Sequence, residues 1–184
     1  MGEPVRGGVF HLATVGIGSN LGDREANIAQ AIQRLAGRSG NRITALSSLY
    51  ETEPFGVRDQ PFFLNCVLQI ETDQDLESFF RSLQDLEDAC GRRREVRWGP
   101  RILDLDLLLF DYLVRDTPEL SVPHPGIPAR RFVLEPLCEI APDLVHPGLQ
   151  ERMGDLLGRL GNKSKVVCLC RHPRGCELVS RVGP

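Results

Sequence analysis

Arg97-Trp98-Gly99-Pro100-Arg101-Ile102-Leu103-Asp104-Leu105-Asp106-Leu107-Leu108-Leu109-Phe110 reads as an arginine-bearing loop that runs straight into a buried strand. Side chains alternate faces along a strand, so Asp104 and Asp106 share one side. Leu103, Leu105, Leu107 and Leu109 then point the other way, into a core. Two neighbouring carboxylates on a buried strand repel each other and lose hydration. Positive charge has to offset that cost. Two sources fit the residues: divalent cations bridged by a polyphosphate, or plain ion pairs with the arginines just upstream.

The rest of the chain places this strand last in a repeating order. Val9 to Ile17 is a β-rich run closed by Gly16, Gly18, Ser19 and Asn20. Asp23 is placed to cap a helix to about Ala36, with an apolar stripe at Ile28, Ala31, Ile32 and Leu35. Ile43 to Thr52 reads as a second strand and Phe62 to Thr72 as a third, separated by a loop with two prolines and a glycine. Asp73 or Asp75 opens a second helix to Cys90, striped by Leu76, Phe79, Phe80, Leu83 and Leu86 and stopped by Gly91. Glu87 borders that stripe, either as a carboxylate at the core edge or as a snorkelling surface group.

The order β-α-β-β-α-β predicts an α+β fold of the ferredoxin-like type. That is a mainly antiparallel sheet with helices on one face and the first and last strands adjacent in its middle. Asp111 to Glu119 follows as a hairpin or turn, Arg130 to Ile140 as a short helix, and Leu149, Met153, Leu156 and Leu160 as a helix weakened by Gly154 and Gly158. Val166 to Cys170 reads as a last edge strand. The 184 residues are expected to form a single domain, with a core over about 9–160 and a C-terminal extension over 163–184.

Composition is that of an ordinary soluble globular protein, 41% hydrophobic and 26% charged, with a net charge of -3 that gives no reason to expect a nucleic-acid partner. Only Lys163 and Lys165 are lysines; every other basic residue is arginine, and arginines cluster from Arg92 onward beside the Asp pair. Arginine's planar fork suits phosphate oxygens. The six cysteines do not have the spacing of a small disulfide scaffold. Cys168, Cys170, His172 and Cys176 do not match a zinc pattern, so a strand and a loose terminus are expected there. With no signal core, no myristoylation pattern and no long apolar run, a cytoplasmic monomer without membrane contact is expected.

Paired aspartates can bridge two metals and stabilise both oxygens of an in-line displacement at phosphorus. Arg92, Arg94, Arg97 and Arg101 are placed to neutralise the charge of a transferring group. His124, between two prolines, could donate to a phosphate or be structural. Trp98 sits in the polar loop, available to cover a flat ligand.

Together these motifs resemble the 6-hydroxymethyl-7,8-dihydropterin pyrophosphokinase family. The residues that carry the resemblance are Gly16-Ile-Gly-Ser-Asn-Leu-Gly22, Tyr50-Glu-Thr-Glu-Pro-Phe-Gly56, Asp59-Gln-Pro-Phe-Phe-Leu-Asn65, the Arg97 to Asp106 stretch and Val122-Pro-His-Pro125. The resemblance implies a ferredoxin-like fold. It also implies transfer of the β,γ-pyrophosphoryl group of ATP to the pterin hydroxymethyl oxygen, with two magnesium ions and release of AMP.

Residue by residue, it implies that Asp104 and Asp106 hold the metals, with Arg92 and Arg101 most closely tied to catalysis. Gln84, Glu87, Arg94, Arg97, His124 and Arg130 are implied for ATP. Thr52, Glu53, Phe55, Phe63, Asn65, Trp98, Phe132 and Asp104 are implied for the pterin. The loop from Arg92 to Trp98 is one residue shorter than in some relatives, which blurs the roles of Arg92, Arg93 and Arg94. Two rivals stand beside this reading. A nucleotidyltransferase would release pyrophosphate, and an RNA-binding ferredoxin-like module would want exposed strand aromatics where this chain has leucines and aspartates.

Overall fold

Strand β1 (His11–Ser19) lies between two antiparallel neighbours, β4 (Phe63–Thr72) and β5 (Asp104–Phe110). The computed structural model describes residues 9–54, 56, 59–90, 99–161 and 165–176. The sheet runs β10-β3-β4-β1-β5, with β2 also paired to β4. Every pairing in it is antiparallel. Helix α1 (Arg24–Ala36) begins where the Asp23 carboxylate accepts the Ala26 N–H, as expected of a cap. Its predicted stripe of Ile28, Ala31, Ile32 and Leu35 is fully buried. Asp75, the second of the two candidate starts, caps α2 (Leu76–Ala89) by accepting the Ser78 N–H at 2.7 Å.

The run expected as one strand over Ile43 to Thr52 is two, β2 (Arg42–Leu46) and β3 (Tyr50–Thr52). From Leu46↔Leu68 to Tyr50↔Asn65 the chain advances four residues against three on β4, so one residue is extra. The bulge is held by Ser47, whose hydroxyl accepts the Val67 N–H at 2.9 Å, and by Glu139, whose carboxylate takes the Ser48 N–H and hydroxyl.

After β5, a small hairpin of β6 (Arg115–Asp116) and β7 (Ser121–Val122) leads to a 3-10 turn at Ile127–Ala129 and to α3 (Arg131–Ile140). A second hairpin, β8 (Val145–His146) with β9 (Glu151–Arg152), precedes α4 (Met153–Arg159) and had no counterpart in the sequence reading. Edge strand β10 (Val166–Cys168) pairs with β3.

Two expectations change and one holds. The helices of the predicted unit, α1 and α2, share one face and pack on Ala13, Val15, Ile17, Cys66 and Leu68, whereas α3 and α4, which follow that unit, pack with Val67, Leu108 and Leu109. Alternation assigns these two sets to opposite faces of the sheet. The apolar stretch through α3 and α4 therefore had a second face to cover. The Asp-bearing strand β5 ends the sheet rather than lying in its middle. It is buried because α2 and the β7 region cover it, and its outward groups find partners. Leu105 N–H donates to Glu87 Oε1 at 2.8 Å, and the Leu108 carbonyl accepts from His124 N–H at 2.8 Å. Finally, Leu109 does not face the same core as Leu105 and Leu107. Thr14 pairs with Leu109 and Val15 with Leu107, so a bulge at Leu108 moves Leu109 to the second cluster.

Candidate active site

The polar end of β5 opens on a cavity of about 190 Å³. Asp104 and Asp106 line it side by side, as the pleat requires, with side chains 27% and 33% exposed. Each has a guanidinium near it. Arg101 Nη1 lies 2.6 Å from Asp104 Oδ1, and Arg130 Nη1 lies 3.5 Å from Asp106 Oδ2. The ion-pair reading is therefore met, and the cation reading has room beside it. The carboxylates have arginine partners, yet they keep an open space beside them. Two hard oxygen donors facing a cavity suit magnesium, which is satisfied by one or two carboxylates completed by phosphate and water. Among the described residues no third Asp, Glu, His or Cys joins them in a metal-binding group.

Glycines on β1 lie opposite the two aspartates. Gly16 pairs with Asp106 and Gly18 with Asp104 across β1. Gly18 also pairs with Asn65 on β4, and a Cβ there would sit 2.7 Å from Asn65 Oδ1. Asn65 Nδ2 donates to Thr52 Oγ1 at 2.7 Å, with both residues buried. That bond fixes which way the amide points and presents a directional hydrogen-bonding edge. Phe63 and Phe132 add apolar walls, Glu53 lies at the rim, and the Arg130 guanidinium carbon sits 5.8 Å from the Phe132 ring centre.

His124 completes the lining. Burial, reinforced by the positive charge of Arg130, lowers its pKa to about 4, although Asp104 acts in the opposite sense. The ring is therefore neutral at neutral pH. Its Nδ1 accepts the Gly126 N–H at 2.9 Å, which assigns the proton to Nε2 and makes that nitrogen a donor. The folded value lies below the ordinary 6.5, so the unfolded chain takes up this proton first as pH falls. The stability linked to His124 is complete above about pH 6.5 and is lost progressively toward pH 4. Urea midpoints at pH 7 and pH 4.5 should fall less with acidification in His124→Gln than in the parent; equal falls would remove His124 from the acid sensitivity.

A second cavity, of about 280 Å³, lies along the outer edge of β5 between Phe80 of α2 and the β6–β7 hairpin. It shares Asp106 and His124 with the first. Asp106 and His124 thus stand at the junction of two chambers, with Asp104 beside them in the first.

Every residue that lines the first cavity was a candidate from the sequence. Gln84, half-buried on α2, and Glu87 line neither cavity. Glu87 is 2% exposed, which rules out the snorkelling alternative, and its carboxylate holds the edge of β5 at Leu105. Phe55, Arg92, Arg93, Arg94, Arg97 and Trp98 lie outside the described residues.

Asn20 was not singled out. It is 2% exposed, its Oδ1 accepts Arg101 N–H at 2.7 Å, and its own N–H donates to the Arg101 carbonyl at 3.1 Å. Its Nδ2 reaches Gln60 Oε1 and the Pro61 carbonyl, so one side chain ties the end of β1, the Arg101 backbone and the loop before β4. The available signal was an Asn in a Gly-rich strand end, where such residues bond backbone.

Comparison with known proteins fits this geometry. The family model for 7,8-dihydro-6-hydroxymethylpterin-pyrophosphokinase (HPPK) matches residues 14–142. The chain is 45% identical over 130 residues to the Bacillus subtilis 2-amino-4-hydroxy-6-hydroxymethyldihydropteridine pyrophosphokinase, covering 71% of this chain and 78% of that one. Identity to the Methylorubrum extorquens protein of the same name is 41% over 148 residues, 80% of this chain and 92% of the other. It is 40% over 149 residues to the Schizosaccharomyces pombe folic acid synthesis protein fol1, where 81% of this chain matches 20% of a much longer protein.

Among solved structures, a Plasmodium falciparum HPPK-DHPS chain superposes with a TM-score of 0.65 at 15% identity, over 84% of this chain and 45% of that one. That likeness speaks to the fold alone. The family match spans the sheet from within β1 through β5, α1, α2, the Asp104–Asp106 pair, His124 and α3, but not edge strand β10, and on that match the chain belongs to the 7,8-dihydro-6-hydroxymethylpterin-pyrophosphokinase (HPPK) family.

Proposed function

We propose that the chain transfers the β,γ-pyrophosphoryl group of ATP to the hydroxymethyl oxygen of 6-hydroxymethyl-7,8-dihydropterin in folate biosynthesis and releases AMP. The observation that carries this reading is the carboxylate pair in the first chamber, with Asp106 and His124 shared with the second. A reaction between two substrates needs their reacting atoms brought together at one point.

The first chamber suits the pterin. Asn65, oriented by Thr52, reads the ring's amide edge, and Phe63 and Phe132 cover its faces. Glu53 and, from the family resemblance, Phe55 and Trp98 belong to the same subsite. The second chamber suits the nucleoside, with the triphosphate reaching back to the carboxylates. His124 donates from Nε2 to a phosphate oxygen, and Arg130 adds a fixed positive charge. Gln84 and Glu87 belong to the nucleotide side, Glu87 through the β5 edge that it holds. Asp104 and Asp106 would hold two magnesium ions, which supply Lewis-acid neutralisation of the phosphate charge. Arg101 lies beside the point where charge grows as the bond from the α-phosphate to the β-phosphorus breaks. Arg92, Arg94 and Arg97 extend that cationic wall, and their loop with Trp98 would exclude water.

The antiparallel strand order, with β1 beside both β4 and β5, supports the ferredoxin-like description. The shared sheet supports one domain with a tail. Among the described residues no helix is long and apolar enough to cross a membrane. A cytoplasmic monomer acting on small molecules, with no nucleic-acid partner, remains part of the proposal.

The test is direct. Protein, ATP, magnesium and the reduced pterin should yield AMP and the pterin diphosphate in equal amounts. Release of inorganic pyrophosphate would indicate nucleotidyl transfer and overturn the reading. A second measurement addresses the pterin chamber. Gly18→Ala should push the Asn65 amide from its bond with Thr52 and weaken pterin binding about tenfold, while ATP binding is unchanged. Calorimetry with each ligand separates the two, and equal losses would mean a general disturbance of the sheet.

A further inference from the structure

Beyond the two chambers, the C-terminal segment carries chemistry that pyrophosphoryl transfer does not use. Cys168 ends β10, the outermost strand of the sheet, where it pairs with Tyr50. In an extended strand, residues two apart are separated by about 6.6 Å along the chain. Here Cys170 has a φ of 51°, a left-handed conformation that curls the chain back. The two sulfurs consequently lie 3.5 Å apart, and the Cys170 N–H points at Cys168 Sγ at 3.2 Å. Cys170 is exposed, whereas Cys66 and Cys176 are buried.

We propose that Cys168 and Cys170 form a dithiol that low-molecular-weight disulfides oxidise to an intramolecular Cys168–Cys170 disulfide. The loop is held on both sides of the pair, since Leu169 N–H donates to the Leu49 carbonyl and Leu49 N–H donates to the Arg171 carbonyl, each at 2.8 Å. The thiols therefore meet within an anchored turn, which raises their effective concentration for each other. Closure needs the sulfurs to approach from 3.5 Å to about 2.05 Å, a movement within reach of side-chain rotation.

Two donors converge on Cys168 Sγ, so the first attack is assigned to it. The hydrogen bond to Cys168 raises the pKa of the Cys170 thiol and keeps it protonated. In the first step the Cys168 thiolate attacks one sulfur of the small disulfide. An S–Cys168 bond forms and one thiolate leaves. Once Cys168 Sγ is part of the mixed disulfide, Cys170 gives up its proton to solvent and its thiolate attacks Cys168 Sγ, expelling the second thiolate. The protein gives up two electrons and two protons. The small disulfide receives them and becomes two thiols.

The full-length chain is treated with excess glutathione disulfide, quenched with acid, alkylated and analysed by mass spectrometry. The proposal expects a loss of about 2 Da and a fall in free thiols from six to four, the missing two being Cys168 and Cys170 within one peptide. Cys170→Ser should stop at a mixed disulfide on Cys168, about 305 Da heavier. Cys168→Ser should form no ring. A parent protein that accumulates the mixed disulfide, keeps all its thiols, or cross-links through Cys176 or to a second chain would overturn the proposal.

Discussion

Asp106→Asn, and likewise Asp104→Asn, should lower the turnover number about a thousandfold while the protein stays folded. Asparagine keeps the shape of the side chain and removes the charge. Loss of that charge removes several kcal/mol of stabilisation from a transition state built around phosphate and metal charge. The fold should tolerate the change for a structural reason. Both aspartates face a cavity, and β5 is held through backbone pairing to Gly16 and Gly18 and through the buried leucines on its other side. Neutralising one carboxylate relieves repulsion from its neighbour while weakening its pairing with an arginine, so the thermal midpoint should change little. Steady-state kinetics with magnesium, read beside a melting curve, decide the matter. Parental rates in either folded variant would remove the pair from the chemistry.

Arg101→Ala should reduce the turnover number by about a hundredfold or more and change the KM for ATP less than tenfold. In the free protein the guanidinium is occupied by Asp104 at 2.6 Å, so part of its attraction for ATP is already satisfied. It gains most when new negative charge appears in the transition state. Its backbone is clamped from both sides by Asn20, so the side chain starts from a defined point. Arg101→Lys should recover only a fraction of the loss, because a single ammonium cannot reproduce a planar fork. If the alanine variant lost ATP affinity and kept its turnover number, Arg101 would be a binding residue only.

The elements with strong periodicity were legible in the sequence. The stripe of α1, a start of α2 at Asp73 or Asp75 and the shared face of Asp104 and Asp106 follow from spacing alone, because local geometry determines them, and the structure selects Asp75. The features that were not legible depend on contacts between distant segments. The bulge at Ser47–Leu49 needs Glu139, ninety-one residues from Ser48, to receive the freed N–H. The switch of Leu109 to the second cluster needs the register of β1, and a run of three leucines hides it.

The same distinction applies to the site. Residue chemistry alone pointed to Asp104, Asp106, Arg101 and His124. Thr52, Phe63, Asn65, Arg130 and Phe132 entered through the family resemblance, since a lone amide or phenylalanine carries no signal of its own. Asn20 escaped notice because its partners, Arg101 and Gln60, lie far along the chain.

The terminal position of β5 has a further consequence. An unprotected outer strand invites another chain to zip onto it and begin a fibre. Here the Glu87 carboxylate stands guard at Leu105, and the His124 amide does so at Leu108. The stretch left between these sentries, at Asp106 and Leu107, opens on the second chamber. Any chain that zipped onto β5 would first have to break both contacts, so the same two groups that complete the strand's hydrogen bonding also guard the molecule against self-assembly.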